Sequence, residues 1–156
     1  MKKIWAPWRN EYITMKKTKT CIFCIGKKST NTDRDRFVLK RGKSAFSMLN
    51  KYPYNNAHIM IAPYRHVRSF AFLNERELLD MMRLVKESMK IIDKKLKPHG
   101  YNVGANVGSV AGAGFAGHVH IHVVPRWKGD TNFMPVTSDT KVISGSLAET
   151  WRLLKC

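Results

Sequence analysis

An alternation of histidine with branched apolar residues between Gly117 and Pro125 constrains the fold of this chain more than any other segment. Successive side chains of a β-strand point to opposite faces, so the alternation predicts a strand that buries Val119, Ile121 and Val123. The histidines would then share the other, exposed face. Such a row indicates a site for chemistry, and the alternative is a half-buried strand that happens to carry histidines. The histidines of this row are His118, His120 and His122.

The remaining patterns predict four more strands and two helices, which together indicate an α+β fold. The strands are expected over 37–40, 45–49, 58–62 and 101–107. A long helix begins near Asn74, where Glu77 completes a capping box, and ends before Pro98. A short closing helix is expected over 146–154. The long helix carries an apolar stripe that we expect in the core: Leu78, Met81, Met82, Val85, Met89 and Ile92.

The length of 156 residues favours one domain, with an arm over 1–20, a core over 21–135 and an extension over 136–156. We expect no membrane span, because the apolar runs are too short, and no secretory signal, because Pro7 and Arg9 interrupt the apolar start. Three cysteines do not make a disulfide framework, so a reducing cytoplasm is expected.

The formal net charge of +17 favours a polyanionic partner such as nucleic acid, nucleotide phosphates or an acidic membrane surface. The basic residues are scattered in small groups, so solvated surface lysines are an equal alternative. Charge by itself therefore does not choose a substrate.

The histidine row could bind a metal ion or act directly on a substrate. Residues four apart in a strand are separated by about 13 Å, whereas metal–nitrogen bonds are about 2 Å. A straight strand cannot bring all three rings to one ion, although two could share a metal with ligands from elsewhere. Otherwise His120 acts alone, since neutral imidazole is a good nucleophile toward phosphorus. The preceding turn, which includes Gly112 and Gly114, offers backbone N–H groups to phosphate oxygens.

The pair Cys21 and Cys24 has the spacing of a zinc knuckle. No second pair follows, so two further ligands would have to come from distant positions. By itself the pair is ambiguous between zinc, redox chemistry and two unmetallated thiols.

The segment from His118 to Val124 resembles the signature of the histidine triad (HIT) family, in which histidines alternate with apolar residues. Asn50, His58 and Asn106 fall in the family's order and spacing. The residues that follow the triad are similar to a bacterial branch resembling diadenosine tetraphosphate phosphorylases and hydrolases. The resemblance implies a HIT-like fold with five antiparallel strands, and a homodimer whose sheets join.

The resemblance also implies nucleotidyl transfer. His120 would attack an α-phosphate and form a nucleotidyl-histidine intermediate, which water or phosphate then releases. His122 would lie against the phosphate and the leaving group. His58 would support the triad, Asn106 would contact the phosphate region or orient the nucleophile, and Asn50 would bind the ribose hydroxyls.

The chain departs from many family members just before the triad. It has Gly114, Phe115 and Ala116 where they carry Gln, Ser or Thr side chains. Backbone N–H groups would have to replace those phosphate contacts.

For the cysteine pair, the resemblance implies a closed Cys₂His₂ zinc site completed by His66 and His118. This zinc would be structural and would tie the N-terminal segment to the base of the catalytic strand. No organic cofactor is expected.

The favoured function is cleavage of dinucleoside polyphosphates or related nucleotide-phosphate bonds. Two other enzyme activities stay open: cleavage of nucleoside phosphoramidates, and removal of AMP from nucleic-acid ends, for which the short chain shows no additional binding elements. A module that binds nucleotides or RNA without turnover is an alternative of a different class. Trp127, directly after the triad strand, could stack on a base or pack at the dimer interface.

Overall fold

Five strands and two helices are found in the computed structural model, which describes residues 21–28, 31–130, 143 and 145–155. In chain order they are β1 (Val38–Arg41), β2 (Ala45–Leu49), β3 (Ile59–Pro63), α1 (Glu75–Leu96), β4 (Gly100–Gly104), β5 (Ile121–Arg126) and α2 (Leu147–Leu154), with short 3-10 turns at Asn31–Asp33 and Phe70–Phe72. The strands form one sheet in the order β1-β2-β3-β5-β4, and all neighbours are antiparallel. The predicted α+β class is confirmed. The expected arm over 1–20 lies outside the described residues.

Strands β2 and β3 are covered on both faces, because their side chains alternate between two apolar clusters. One cluster packs against α1 and includes Ala45, Leu49, Ile59 and Ile61. The other packs against the segment that begins at Cys21 and includes Phe23, Ile25, Phe46, Met48, Met60 and Ala62. Within the described residues, neither helix is long and apolar enough to cross a bilayer.

Helix α1 begins where the sequence predicts, and Met81, Val85 and Ile92 are buried as predicted, but the rest of the buried stripe differs. The Asn74 side chain accepts from the Glu77 backbone N–H, and the Glu77 carboxylate accepts from the Asn74 N–H, which completes the capping box. Leu78 and Met82 are 38% and 54% exposed, so placing them in the core was wrong. The buried face is instead formed by Glu77, Asp80, Met81, Leu84, Val85, Ser88 and Ile92.

Polar residues on the buried face explain this error. The Arg65 guanidinium pairs with Glu77, at 2.7 Å from Nη2 to Oε2. Asp80 accepts from the backbone N–H groups of Ser44 and Ala45, which joins α1 to the turn before β2. A prediction that places only apolar residues in the core cannot identify a buried helix face that includes hydrogen-bonded carboxylates.

The histidine strand is shorter than predicted, since β5 starts at Ile121 and only His122 of the triad lies within it. Ile121 is the first residue of β5, and it pairs with Ile61 of β3. Further upstream, the Val119 N–H donates to the carbonyl of Val67, beyond the end of β3. Because Val67 lies in the loop after β3, the segment upstream of Ile121 bonds to a loop and is no longer part of the sheet. The predicted fourth strand is shortened in the same way and ends at Gly104, opposite His122.

The predicted burial of the apolar residues in this segment is confirmed, but the exposed histidine face is not. Val119, Ile121 and Val123 are buried, and so are His118 and His120, at 0% and 4% exposure. The segment carrying Phe23 covers them. His118 and His120 therefore lie in an enclosed site, whereas His122 is half-buried.

Candidate active site and metal centre

Three of the predicted site histidines form a contiguous row. The His120 and His122 ring centroids are 4.8 Å apart, and those of His122 and His58 are 5.1 Å apart. His58 directly precedes β3, whose residue Met60 pairs with His122 across the ladder. The antiparallel pairing of β3 and β5 therefore brings the upstream histidine to the triad.

Hydrogen bonds fix the proton positions on His58 and His122. The Nδ1 atom of His58 accepts from the Tyr54 backbone N–H at 3.1 Å and faces the Asn50 amide nitrogen at 3.2 Å. In a neutral ring the proton then lies on Nε2, which donates to Nδ1 of His122 at 2.9 Å. By the same rule, His122 carries its own proton on Nε2. His122, in the middle of the row, thus presents an Nε2–H donor that the bond to His58 does not use.

The His120 ring has the opposite arrangement. Its Nδ1–H donates to the backbone carbonyl of His118 at 2.8 Å, because a carbonyl oxygen can only accept. The lone pair of the neutral ring is therefore on Nε2. A ring held in this way offers a nucleophilic nitrogen whose direction is set by the backbone.

Burial keeps these rings neutral. Desolvation, with a smaller contribution from His122 and then His120, lowers the pKa of His58 to about 3. Desolvation and the neighbouring His120 lower the pKa of His122 to about 4. Burial also lowers the pKa of His120, against the bond to the His118 carbonyl, which raises it. At neutral pH the row consists of uncharged imidazoles.

The two predicted asparagines lie in different places. Asn50 contacts His58, and its side-chain oxygen accepts from the Tyr52 N–H at 2.9 Å. Asn106 donates to the carbonyl of Gly112 at 3.3 Å, within the glycine-rich loop. Asn50 is therefore joined to the imidazole row, whereas Asn106 organises the loop before it.

The glycine-rich loop is a sequence of tight turns. Gly108 and Gly112 have φ values of 89° and 84°, in the left-handed region that favours glycine. The Gly112 N–H donates to Ser109 O at 3.0 Å, so this N–H is engaged within the turn. Gly114 is exposed at the end of the loop that leads to His118.

The other predicted cluster brings together four candidate metal ligands from three distant parts of the chain. Cys21, Cys24, His66 and His118 each offer one ligand atom, and these atoms lie within 4.8 Å of one another. The Cys24 Sγ atom is 3.2 Å from His66 Nδ1, and Cys21 Sγ is 3.5 Å from His118 Nδ1. Tetrahedral zinc would separate sulfur and nitrogen ligands by about 3.5 Å. The residues fit a metal ion.

The tautomer of His118 also fits a metal. Its Nε2–H donates to the carbonyl of Pro63 at 2.9 Å, which leaves the lone pair on Nδ1, facing the two sulfurs. A backbone carbonyl on the far nitrogen is the usual support of a metal-binding histidine. Cys21 and Cys24 are free thiols in this structure.

Sequence reasoning missed two aromatic residues of the site. Phe23 stacks on His120, with ring centroids 4.5 Å apart, and tilts against His118 at 5.3 Å. Tyr54 lies 4.7 Å from the His58 ring. The position of Phe23 between the two cysteines was the available signal. Trp127, by contrast, donates its indole N–H to Leu96 O at the end of α1.

The fold and this geometry agree with the comparisons to known proteins. The family model of the HIT domain matches residues 31–129, which is more than half of the chain. The chain belongs to the HIT domain family.

Among its relatives, a Mycobacterium tuberculosis protein named AP-4-A phosphorylase is 36% identical over 161 residues, covering 99% of this chain and 83% of that protein. The Schizosaccharomyces pombe asymmetrical bis(5'-nucleosyl)-tetraphosphatase is 31% identical over 93 residues, covering 60% of this chain and 50% of that protein. A crystal structure of a zinc-bound histidine triad family protein from Mycobacterium smegmatis superposes with a TM-score of 0.63 at 21% identity, covering 76% of this chain and 81% of the other. This last likeness concerns the fold alone.

Proposed function

We propose that this protein cleaves dinucleoside polyphosphates through a nucleotidyl intermediate on His120. The observation that carries the proposal is the bond from His120 Nδ1 to the His118 carbonyl, which leaves the Nε2 lone pair free to attack. The relatives named AP-4-A phosphorylase and bis(5'-nucleosyl)-tetraphosphatase support the substrate class.

The proposed reaction has two steps at phosphorus. His120 Nε2 forms a bond to the α-phosphorus, and the bond from that phosphorus to the bridging oxygen breaks, which releases the remaining nucleoside polyphosphate. Water or inorganic phosphate then attacks the same phosphorus and releases AMP or ADP, which restores neutral His120. Imidazole serves both steps, because it is a good nucleophile and a good leaving group when phosphorylated.

His122 and His58 would assist this transfer as a polarised pair. The Nε2–H of His58 donates to His122, so His122 Nε2–H is oriented as a donor. It would donate to the phosphate or the bridging oxygen as negative charge develops there. Asn50 would hold His58 and contact the ribose, and Asn106 would shape the loop whose backbone, at Gly112 and Gly114, would lie beside the phosphates.

Zinc is the metal we propose for the second cluster. Cys21, Cys24, His66 and His118 make a closed set of four ligands, so the ion would be structural and would not touch substrate. When bound it would hold the N-terminal segment against the triad.

We also propose that the whole chain, 1–156, is a single HIT domain that works as a homodimer in the cytoplasm. Among the described strands, β4 pairs only with β5, so its outer backbone edge is open to a second sheet. Val103 on this strand is 46% exposed. Thiolate zinc ligands favour a reducing compartment.

Product analysis tests the proposed activity. Diadenosine tetraphosphate is incubated with the zinc-loaded protein, with and without inorganic phosphate. ADP plus ATP formed only with phosphate indicates a phosphorylase, and AMP plus ATP indicates a hydrolase. Absence of cleavage in both conditions, with tight RNA binding that falls steeply with salt, would contradict the proposal and favour a binding module.

A further inference from the structure

Phe23 lies between the candidate metal centre and the proposed nucleophile. It is the third residue of the segment Cys21–Cys24, and its side chain is 1% exposed. Its ring stacks on His120 at an interplanar angle of 29° and also contacts His118. One aromatic ring therefore touches both the ring proposed to attack phosphorus and a candidate metal ligand.

Two physical connections join the metal cluster to His120. The first runs through His118, whose Nδ1 faces the cysteine sulfurs while its carbonyl accepts from His120 Nδ1. The second runs through Phe23, because a tight turn holds it between the two thiols. In that turn the Cys24 N–H donates to Cys21 O at 3.1 Å and the Ile25 N–H donates to Phe23 O at 2.9 Å.

The two connections restrain different motions of the His120 ring. The bond at Nδ1 fixes one atom of the imidazole, but the ring can still tilt about that bond. A flat aromatic surface against the ring limits this tilt and so directs the Nε2 lone pair. Nucleophilic attack needs the reacting atoms aligned, and a small misplacement costs a large factor in rate.

We propose that Phe23 is a positioning residue that sets the plane of the His120 ring, and that the metal centre holds Phe23 in place. Zinc then raises the rate of nucleotidyl transfer without taking part in the chemistry. The kinetic consequence rests on the proposed function; the dependence of the His120 ring on zinc does not.

Kinetics of matched variants test the positioning role. Phe23→Leu keeps an apolar side chain but removes the flat ring, and Phe23→Tyr restores the ring. Phe46→Leu is the control, because Phe46 is equally buried in the same cluster but contacts Tyr64 instead of a histidine. We expect Phe23→Leu to lower kcat roughly tenfold with KM changed less than about twofold. Phe23→Tyr should recover most of kcat, and Phe46→Leu should leave kcat unchanged while lowering Tm.

Two kinetic outcomes would overturn the proposal. Equal kcat in Phe23→Leu and Phe46→Leu would mean that Phe23 only packs the core. A raised KM at unchanged kcat in Phe23→Leu would mean that Phe23 contacts the nucleotide and does not position His120.

Nuclear magnetic resonance of the histidine rings provides a readout that needs no turnover. In the zinc-loaded protein the stacked Phe23 ring shields the ring protons of His120. We expect Phe23→Leu, and removal of zinc from the wild type, to shift these resonances in the same direction. His120 resonances that are unchanged on zinc removal would contradict the proposal. A protein that shows the shift but cleaves no dinucleoside polyphosphate would contradict the proposed function alone.

Discussion

The first two histidines of the triad use the same residue type in opposite ways. His118 and His120 are two residues apart, both are buried, and burial lowers the pKa of both. Yet His118 donates through Nε2 to Pro63 O, whereas His120 donates through Nδ1 to His118 O. One ring therefore presents Nδ1 to the thiols and the other presents Nε2 away from the backbone. The choice of carbonyl partner, rather than pKa, assigns each ring to its site.

The largest expected effect comes from replacing each of these two histidines by alanine and comparing the variants. His120→Ala should lower turnover of diadenosine tetraphosphate at least about a thousandfold, because no other nitrogen occupies the attacking position. The protein should stay folded and keep its zinc. His118→Ala should lose zinc and stability. Steady-state kinetics and metal analysis on both variants make the comparison, and a His120→Ala protein that has lost zinc would break it.

Loss of a thiol at the metal centre should destabilise the protein, and it should lower kcat only as far as Phe23→Leu does, because the His120 nucleophile is still present. Cys24→Ser removes one of four ligands, and a ligand present a thousandfold above its dissociation constant contributes about 4 kcal/mol to the free energy of unfolding. Urea unfolding with and without zinc measures this difference. Zinc should stabilise the wild type and have little effect on Cys24→Ser. Equal stabilisation of both would show that the metal binds elsewhere.

Acid should destabilise the fold through His58, which lies in the row of imidazoles beside the proposed phosphate site. The pKa of His58 is lowered to about 3 in the folded state, against about 6.5 when unfolded. Between these values the unfolded chain binds a proton that the folded one does not, so stability falls as pH drops below 6.5. From pH 7 to pH 5, His58 should cost about 2 kcal/mol of unfolding free energy.

Urea unfolding at several pH values measures this effect. His58→Asn should flatten the pH dependence, and His99→Asn, which removes an exposed histidine, serves as the control. A pH dependence that is unchanged in His58→Asn would show that another group carries the titration.

The smallest effect is expected at Asn50, which contacts His58 but is not itself one of the three histidines of the row. Asn50→Ala removes the amide beside His58 Nδ1, but the Tyr54 N–H still donates to that atom. The tautomer of His58 should therefore survive, and kcat should change less than KM if Asn50 binds the ribose. A large loss of kcat would instead assign Asn50 to the support of His58.

Local patterns predicted what depends on local geometry. The alternation of Val119, Ile121 and Val123 predicted their burial, because the two-residue period of a strand can be recognised without knowing which strands pair with it. The capping box at Asn74 was predictable for the same reason. The start of β5 was not, because it depends on the distant Val67 carbonyl.

The site shows the same division. The cysteine pair was visible in the sequence, but the burial of His118 and His120 by Phe23 joins positions nearly 100 residues apart, as does the 3.5 Å approach of Cys21 to His118. The tautomers depend on which carbonyls the rings meet, and no spacing encodes this. The departures of α1 from its predicted stripe came from Glu77 and Asp80, whose partners lie on other elements.

Capture of the covalent intermediate tests the central claim most directly. The zinc-loaded protein is mixed with diadenosine tetraphosphate, quenched at alkaline pH within one turnover, and analysed by intact-protein and peptide mass spectrometry. We predict one adenylyl group per chain, located on His120 and absent from His120→Ala. An unmodified protein during turnover, or an adenylyl group on another residue, would contradict the account.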